Sequence, residues 1–569
     1  MKPVAWIIEK RDRILTGAVI GVVGVLVLVP LGMLVWSSLR TGRPGFPGGA
    51  FSLIHYETAY SDWSTYLTLI RSFIFAGAVT VISLGIGSLF AWMIERTNMP
   101  YREWAYSMTV STLAIPRMLF GIAWVLLLSG KIGLINKFLQ YVFNFRGFDV
   151  YSMGGMIWVQ ALIEVPTAFL MVLGSLRSMD PSLEEAASVS RSNTLKTMRK
   201  ITFPIMTPAM LAAAVFLFTV NIEVFEIPGI IGLPAGITIF STAIYLNANV
   251  LTPPNYGLAN TYAMTFLVLS IVLVTLYRKG TRHAEQYSTI TGKGYRPRVI
   301  DLGAGRYVAF FIFIVFFIIT ILLPILILVY ASLLPLYEVP SAEMLTKITL
   351  RNYVSIIQAP WLGKVLKNTI LLMAVAPTAC VFLAALVAWV VHRTRVSKKW
   401  KAVIDVLSFL PQATPSIVIA LCLLIVFLYV RFIPIYGTVW IIALAFVIRY
   451  LPFSSRTIGA AVIQIHKELE ESAQICRASE MKSFFKITLP LIAPALVNVW
   501  IWVSMQSVRA LSAALMLYSS KNEVLSTRIW EIWYEGDIAK VSALAVMMIA
   551  VLLMVSLIGR IVSARMSHR

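Results

Sequence analysis

Charge is scarce in this chain. Asp, Glu, Lys and Arg together make up 13% of its 569 residues, about half the share carried by a soluble domain. So few charged groups cannot clothe a water-facing surface, and lipid is the expected solvent. Acid is scarcer still, with 26 Asp and Glu against 48 Lys and Arg. Cysteine is limited to Cys380, Cys422 and Cys476, which show no metal or redox spacing. Two fall in apolar runs, and no disulfide is expected. The five histidines, His55, His283, His392, His466 and His568, are scattered, and no cluster with His, Cys, Asp or Glu reads as an enzyme's metal site. The phosphate-binding pattern G-x-x-x-x-G-K-[ST] is missing. Gly292-Lys293 and Gly363-Lys364 lack both the upstream glycine and the following Ser or Thr. ATP hydrolysis by that route is excluded.

What the chain has is apolar length. Hydrophobic residues reach 59% and mean hydropathy is +0.82. Several runs reach the roughly 20 residues that cross a bilayer as a helix. They are continuous rather than alternating, which argues against a β-barrel. The expected fold is an all-α membrane protein with about twelve spans, near 14–38, 67–94, 105–129, 152–176, 207–230, 259–277, 307–333, 366–391, 402–430, 438–457, 491–515 and 541–561. The first run is too long for the apolar part of a signal peptide and no small-residue cleavage site follows it, so it reads as a retained span.

The net charge of +22 raises the question of nucleic acid, and its distribution answers it. Basic residues gather before the first span (Lys2, Lys10, Arg11, Arg13), in a central stretch (Arg278 to Arg306), and on every second loop between. This is the positive-inside pattern of an inner-membrane protein with both termini in the cytoplasm. Membrane lipid is the expected surrounding, and no nucleic-acid partner is expected.

The chain repeats itself. Glu185-Ala186-Ala187, then Arg191, then Ile201-Thr202-Phe203-Pro204 recurs with identical spacing as Glu471-Ser472-Ala473, Arg477 and Ile487-Thr488-Leu489-Pro490, 286 residues later. Ala91-Trp92 with Arg96-Thr97 is matched by Ala388-Trp389 with Arg393-Thr394, Pro30 by Pro324, and Pro166 by Pro452. The reading is two halves of about six spans each, 1–277 and 307–569, joined by a cytoplasmic linker 278–306. Such parallel repeats are related by an axis along the membrane normal. Each polar repeat, at 177–206 and 459–490, opens with acids (Glu184 and Glu185; Glu470 and Glu471), which suit a helix N-terminus. Small residues follow, and a proline is expected to stop or bend the segment as it re-enters the membrane. Two copies suggest one docking element for each of two similar partners.

These residues resemble the permease subunits of binding-protein-dependent ABC importers, whose signature runs Glu-Ala-Ala, three residues, Gly, nine residues, Ile-x-Leu-Pro. The resemblance covers both halves and looks most like the fused ferric-iron type, with thiamine and aminoethylphosphonate permeases as relatives. Arg191 and Arg477 stand where the signature has Gly, Phe203 stands for Leu and Ser472 for Ala. The resemblance implies the type I importer permease fold. It also implies that Glu185 and Glu471 with their neighbours sit in clefts of two ATPase subunits, which carry the ATP and Mg that this chain does not bind, and that a periplasmic binding protein delivers the solute. Ferric iron is the expected solute, with phosphonate, thiamine and polyamine as alternatives. The rival class is a secondary transporter driven by an ion gradient.

Ionisable residues inside spans default to a functional reading. Glu164, Asn221, Glu223, Glu226, Arg449 and Arg509 are the candidates. Glu223 and Arg509 are 286 apart, so the repeat sets an acid opposite a base. Three readings stay open: a gating salt bridge between halves, contact of Asn221, Glu223 and Glu226 with a passing cation, or a pair that only satisfies itself. Arg117 is expected to snorkel to the interface.

Overall fold

The computed structural model describes residues 2–145, 147–179, 194–284, 299–394, 396–466, 468–469, 472–473 and 480–567. Among them there is no strand, only isolated bridges such as Thr97 with Ile300. The principal helices of the first half are α1 (Lys2–Ser38), α2 (Trp63–Arg96), α3 (Arg102–Ser111), α4 (Arg117–Leu128), α5 (Leu134–Phe143), α6 (Met153–Ser178), α7 (Phe203–Glu223), α8 (Phe240–Tyr245) and α9 (Tyr256–Ala284). The second half follows with α10 (Gly305–Phe317), α11 (Leu323–Ser332), α12 (Leu362–His392), α13 (Lys398–Phe409), α14 (Ser416–Tyr429), α15 (Val439–Gln464), α16 (Leu489–Arg509), α17 (Leu525–Glu535) and α18 (Ile538–Ser567).

Among the described residues ten helical stretches are long and apolar enough to cross a membrane, twelve if each of two bent pairs is counted as one span. The bent pairs correct the picture of twelve plain rods. The expected spans 105–129 and 402–430 each break at a proline, Pro116 and Pro415, with bends of 98° and 106°. The fifth and eleventh spans start earlier than expected and end on charges, as Met198–Glu223 and Lys486–Arg509. Glu223 and Arg509 are therefore helix-end residues.

Local capping explains several starts. Asp62 accepts a hydrogen bond from Ser64 N at 2.9 Å to open α2, and Ser152 accepts from Gly155 N at 3.0 Å to open α6. α2 then packs closely along α6. The contact needs a residue without a side chain, because a Cβ on Gly87 would lie 2.7 Å from Ala168 Cβ. Small residues at helix contacts let backbones approach where no hydrophobic force acts between helices in lipid.

The repeat is visible in hydrogen bonds. Phe240 N donates to Ser72 Oγ and Leu525 N to Thr369 Oγ1, at 2.9 and 3.0 Å. Thr242 and Thr527 close the starts of α8 and α17 by accepting from Ile239 N and Val524 N. One element breaks the equivalence: α5 lies in a connection between α4 and α6 that is shorter in the second half.

The halves are not two separate bundles. α1 packs against α13 and α14 of the second half, and α10 and α11 pack against α3 and α4 of the first. Trp36 meets Tyr429 edge-on at 4.9 Å. Phe90 contacts Phe313 and Phe316 at 4.4 and 5.1 Å, and Thr112 bonds Thr320 at 3.0 Å. Each half lends its first helix to the other. The expected linker begins as the end of α9, continues through residues outside the described set, and re-emerges at 299. There Ile300 N donates to Arg96 O at 2.9 Å and Asn98 bonds Asp301 at 2.5 Å.

Candidate functional site

The two proline breaks set up the centre of the molecule. A residue before proline is held out of the helical region. Ile115 and Thr414 are accordingly extended, at φ −82°, ψ 127° and φ −110°, ψ 116°. Their carbonyls fall outside the helical ladder and need donors. Arginines supply them. Arg509 Nη2 donates to Ile115 O at 3.4 Å, from second half to first, and Arg449 Nη1 donates to Thr414 O at 3.2 Å.

Around these breaks the intramembrane charges pair. Arg117, the first residue of α4, donates to Glu164 Oε1 at 2.7 Å. Glu164 is 1% exposed and Arg117 37%. Arg117 thus serves a buried carboxylate rather than snorkelling outward. Glu223 Oε1 accepts from Arg449 Nη2 at 2.5 Å, with the two side chains 16% and 19% exposed. This is a salt bridge between halves, formed with Arg449 and not with the expected Arg509. Glu226 Oε1 accepts from Ser512 Oγ at 3.0 Å, again across the halves. Three acids and three bases make the cluster formally neutral, as a low-dielectric setting demands.

Amides complete it. Gln160 Nε2 donates to Glu164 Oε1 at 3.1 Å and to Asn221 Oδ1 at 2.9 Å, and Asn221 Nδ2 donates to Leu217 O at 2.8 Å. A polar string therefore runs Arg117, Glu164, Gln160, Asn221 along the first half and reaches the second through Glu223 and Glu226. Gln160 and Ser512 were missed in the sequence. Gln160 was findable, since an amide four residues before Glu164 shares its helix face. Ser512 was not, since only the fold brings it to Glu226.

At the end of the bundle opposite the polar repeats, a cavity of about 800 Å³ opens between the halves, lined among others by Tyr151, Tyr245, Tyr518, Trp530, Glu531 and Tyr534. Tyr245 and Trp530 hold equivalent positions in α8 and α17, and their rings meet edge-on at 6.1 Å. Gly229 makes room for Trp530: a Cβ there would lie 2.6 Å from the indole. Asn249 Nδ2 donates to Leu515 O and Met516 O, and Tyr534 OH donates to Gly229 O, so cross-half bonds run in both directions. Tyr518 OH donates to Glu523 and Glu531, at 3.2 and 3.1 Å. Burial, then the charges of Glu531 and Glu523, push this phenol above its ordinary pKa, so it remains a donor.

Of the polar repeats, Glu184, Glu185, Ala186, Ala187, Arg191, Glu470, Glu471 and Arg477 lie outside the described residues. Ser472 and Ala473 are helical, with Ser472 Oγ bonded to Glu468 O at 2.7 Å. Pro204 and Pro490 neither stop nor bend the chain. Each follows a π turn, Met198–Thr202 or Phe484–Thr488, that runs on without a break into α7 or α16, and the wider turn accommodates a residue that has no N–H to give. Among the described residues no group of His, Cys, Asp and Glu is placed to hold a metal.

Two interlocked helical halves, bridged in the membrane by paired charges and flanked by a cavity on the shared axis, define a membrane transport protein. The chain belongs to the family of binding-protein-dependent transport system inner membrane components, whose pattern it matches over residues 83–282 and 380–568. It is an ABC importer permease subunit, with both halves in one chain. It is 26% identical over 499 residues to a ferric transport system permease protein of Actinobacillus pleuropneumoniae, covering 85% of this chain and 70% of that one. A similar protein of Haemophilus influenzae is 25% identical, covering 82% and 72%. A 2-aminoethylphosphonate permease of Salmonella typhi is 24% identical over 49% of this chain and 91% of its own. A solved bacterial ABC transporter involved in alginate import aligns over 46% of this chain and 94% of its own, at 20% identity and a TM-score of 0.37.

Proposed function

We propose that this chain forms the membrane pathway of an ATP-driven importer of the bacterial inner membrane and that its solute is ferric iron. The choice of solute rests on the names of its relatives from Actinobacillus pleuropneumoniae and Haemophilus influenzae, which are ferric transport system permease proteins. In this reading a periplasmic binding protein delivers the solute to the cavity between α8 and α17. Two ATPase subunits, which bind ATP and Mg, dock on the repeats through Glu184, Glu185, Ala186, Ala187 and Arg191 on one side and Glu470, Glu471, Ser472, Ala473 and Arg477 on the other. Both termini face the cytoplasm, as the basic loops argue.

The observation that carries the mechanism is the salt bridge between Glu223 and Arg449. It joins α7 to α15 beneath the cavity and closes the route between the halves. Closure of the ATPases pulls on the repeats, the halves rock, and the pair separates. A buried pair costs several kcal/mol per ion to separate without new partners. Thr414 O and the neighbouring Glu226 and Arg509 are at hand to share the load, so the gate exchanges partners rather than stranding charges.

The test is uptake in proteoliposomes that hold this chain, its ATPase and its binding protein. Ferric uptake that requires ATP supports the reading, and uptake driven by an ion gradient without ATP sinks it. Copurification with the ATPase should vanish in Glu185→Arg plus Glu471→Arg. If that double variant still binds and transports normally, the docking reading fails.

A further inference from the structure

The Arg-Thr pair that recurs at the ends of α2 and α12 lies outside both repeats in the sequence and outside the polar cluster described above. One hydrogen bond in its surroundings nonetheless recurs in both halves. Arg96, 2% exposed, is the last residue of α2, and its Nη2 donates to Leu176 O at 3.0 Å. Leu176 lies in the last turn of α6, directly before the first polar repeat. Arg393 caps α12, and its Nη2 donates to Val462 O at 3.0 Å and Ile465 O at 2.8 Å. Those two carbonyls flank the end of α15, directly before the second polar repeat. Leu176 and Val462 are equivalent positions, as are Arg96 and Arg393. The hydrogen bond recurs even though the connection holding α5 differs in length between the halves. The threonines recur as well: Thr97 Oγ1 donates to Met93 O at 2.5 Å and Thr394 Oγ1 to Val390 O at 2.6 Å, closing the helix that carries each arginine.

The physics is that of a helix C-terminus. The last carbonyls have no intrahelical donors, and the end carries partial negative charge. A guanidinium supplies a rigid fork of donors and a charge that does not titrate. Arg96 is buried and Arg393 half-buried, so losing either bond leaves a carbonyl and a cation poorly served by water. On the first half the arginine's own carbonyl also accepts Ile300 N at 2.9 Å, so Arg96 ties the ends of α2 and α6 to the strand-like stretch leading into the second half.

We propose that Arg96 and Arg393 are positioning residues, one per half, that clamp the helix ends from which the two polar repeats depart, so that motion of a repeat is passed to the bundle instead of being absorbed in a loose joint. The proposal rests on the reading of the repeats as ATPase-coupling elements.

Spin labels at the exposed positions Lys196 and Lys482, attached to cysteines with Cys476 replaced by Ser, report the spacing of the two repeat exits without any ATPase. In the full-length chain, Arg96→Gln or Arg393→Gln should broaden that distance distribution. In the assembled transporter each should lower solute imported per ATP hydrolysed at least threefold while the ATPase still copurifies. Arg96→Lys and Arg393→Lys, which keep a charge and a donor and guard against a misfolded Gln variant, should recover part of both. A narrow, unchanged distribution together with an unchanged coupling ratio overturns the clamp. A uniform fall in uptake and hydrolysis with the distribution unchanged also overturns it, since a merely structural residue would behave that way. Broadening in a protein whose wild-type form binds no ATPase supports the clamp and rejects the coupling reading instead.

Discussion

Glu226 and Ser512 occupy the same place in the two halves, 286 residues apart, and they touch: Ser512 Oγ donates to Glu226 Oε1 at 3.0 Å. Equivalent residues meet only on the axis that relates the repeats. The contact therefore marks that axis inside the polar cluster, and the paired rings of Tyr245 and Trp530 mark it again at the cavity. The axis carries an acid from one half and a hydroxyl from the other, so the pathway is symmetric in backbone and asymmetric in charge. Glu226→Ser should make it symmetric in both. Arg509 and Arg117 would then lose a nearby counter-charge, and solute uptake should fall at least tenfold. Uptake within twofold of wild type would show that the acid has no part in transport.

The cross-half salt bridge predicts a double-mutant cycle with strong coupling. Arg449→Gln leaves Glu223 buried without its base, and should lower stability in detergent by about 3–5 kcal/mol. Glu223→Gln plus Arg449→Gln should recover much of that loss, because no charge is stranded. Thermal unfolding followed by tryptophan fluorescence reads the four proteins. Additive effects would show that the two side chains do not act as a pair.

Arg117 and Glu164 predict an asymmetric outcome. Arg117→Met strands a carboxylate that is 1% exposed and should cost about 3–5 kcal/mol. Adding Glu164→Gln should restore stability, since Gln160 and Asn221 remain as hydrogen-bonding neighbours. If Arg117 served only the membrane interface, Arg117→Met would be nearly silent in the same unfolding assay.

Exchange of α1 and α10 between the halves predicts that the chain survives a cut. Residues 1–290 and 291–569 expressed as two polypeptides should copurify through one tag, because each fragment's first helix is packed on the other fragment. Recovery of the tagged fragment alone would contradict the exchange.

Gly229 gives a steric prediction. Gly229→Val places a branched side chain against the indole of Trp530, which should shift the tryptophan emission and reduce uptake several-fold with little loss of ATPase binding. An unchanged emission spectrum would mean that the ring has room to spare.

The parts of this architecture that were legible in the sequence are those written in composition and spacing. Twelve apolar stretches, two halves, the polar repeats and the list of costly intramembrane charges all follow from residue type and number. What escaped was geometry. Pro116 and Pro415 were inside runs apolar enough to read as single spans, and nothing in hydropathy shows that the chain turns there by 98° and 106°. Pro204 and Pro490 erred in the other direction. Proline was expected to break, yet the π turn before each one lets the helix continue past the missing N–H. The partner of Glu223 was misassigned because equal spacing relates residues by symmetry, which is not the same as contact: Arg509 is its equivalent, while Arg449 is its neighbour.

Sequence alone therefore determined the solvent, the approximate number of apolar spans and the duplication, since each follows from the transfer cost of side chains into lipid and from counting. Tertiary structure alone decided which charge meets which, that the halves trade their first helices, and that Arg96 and Arg393 hold the helix ends. Those are contacts between residues tens to hundreds of positions apart. They are selected by the need to satisfy buried carbonyls and charges where no water can reach them, a need that can be met in many ways by the residue list and in one way by the packed fold.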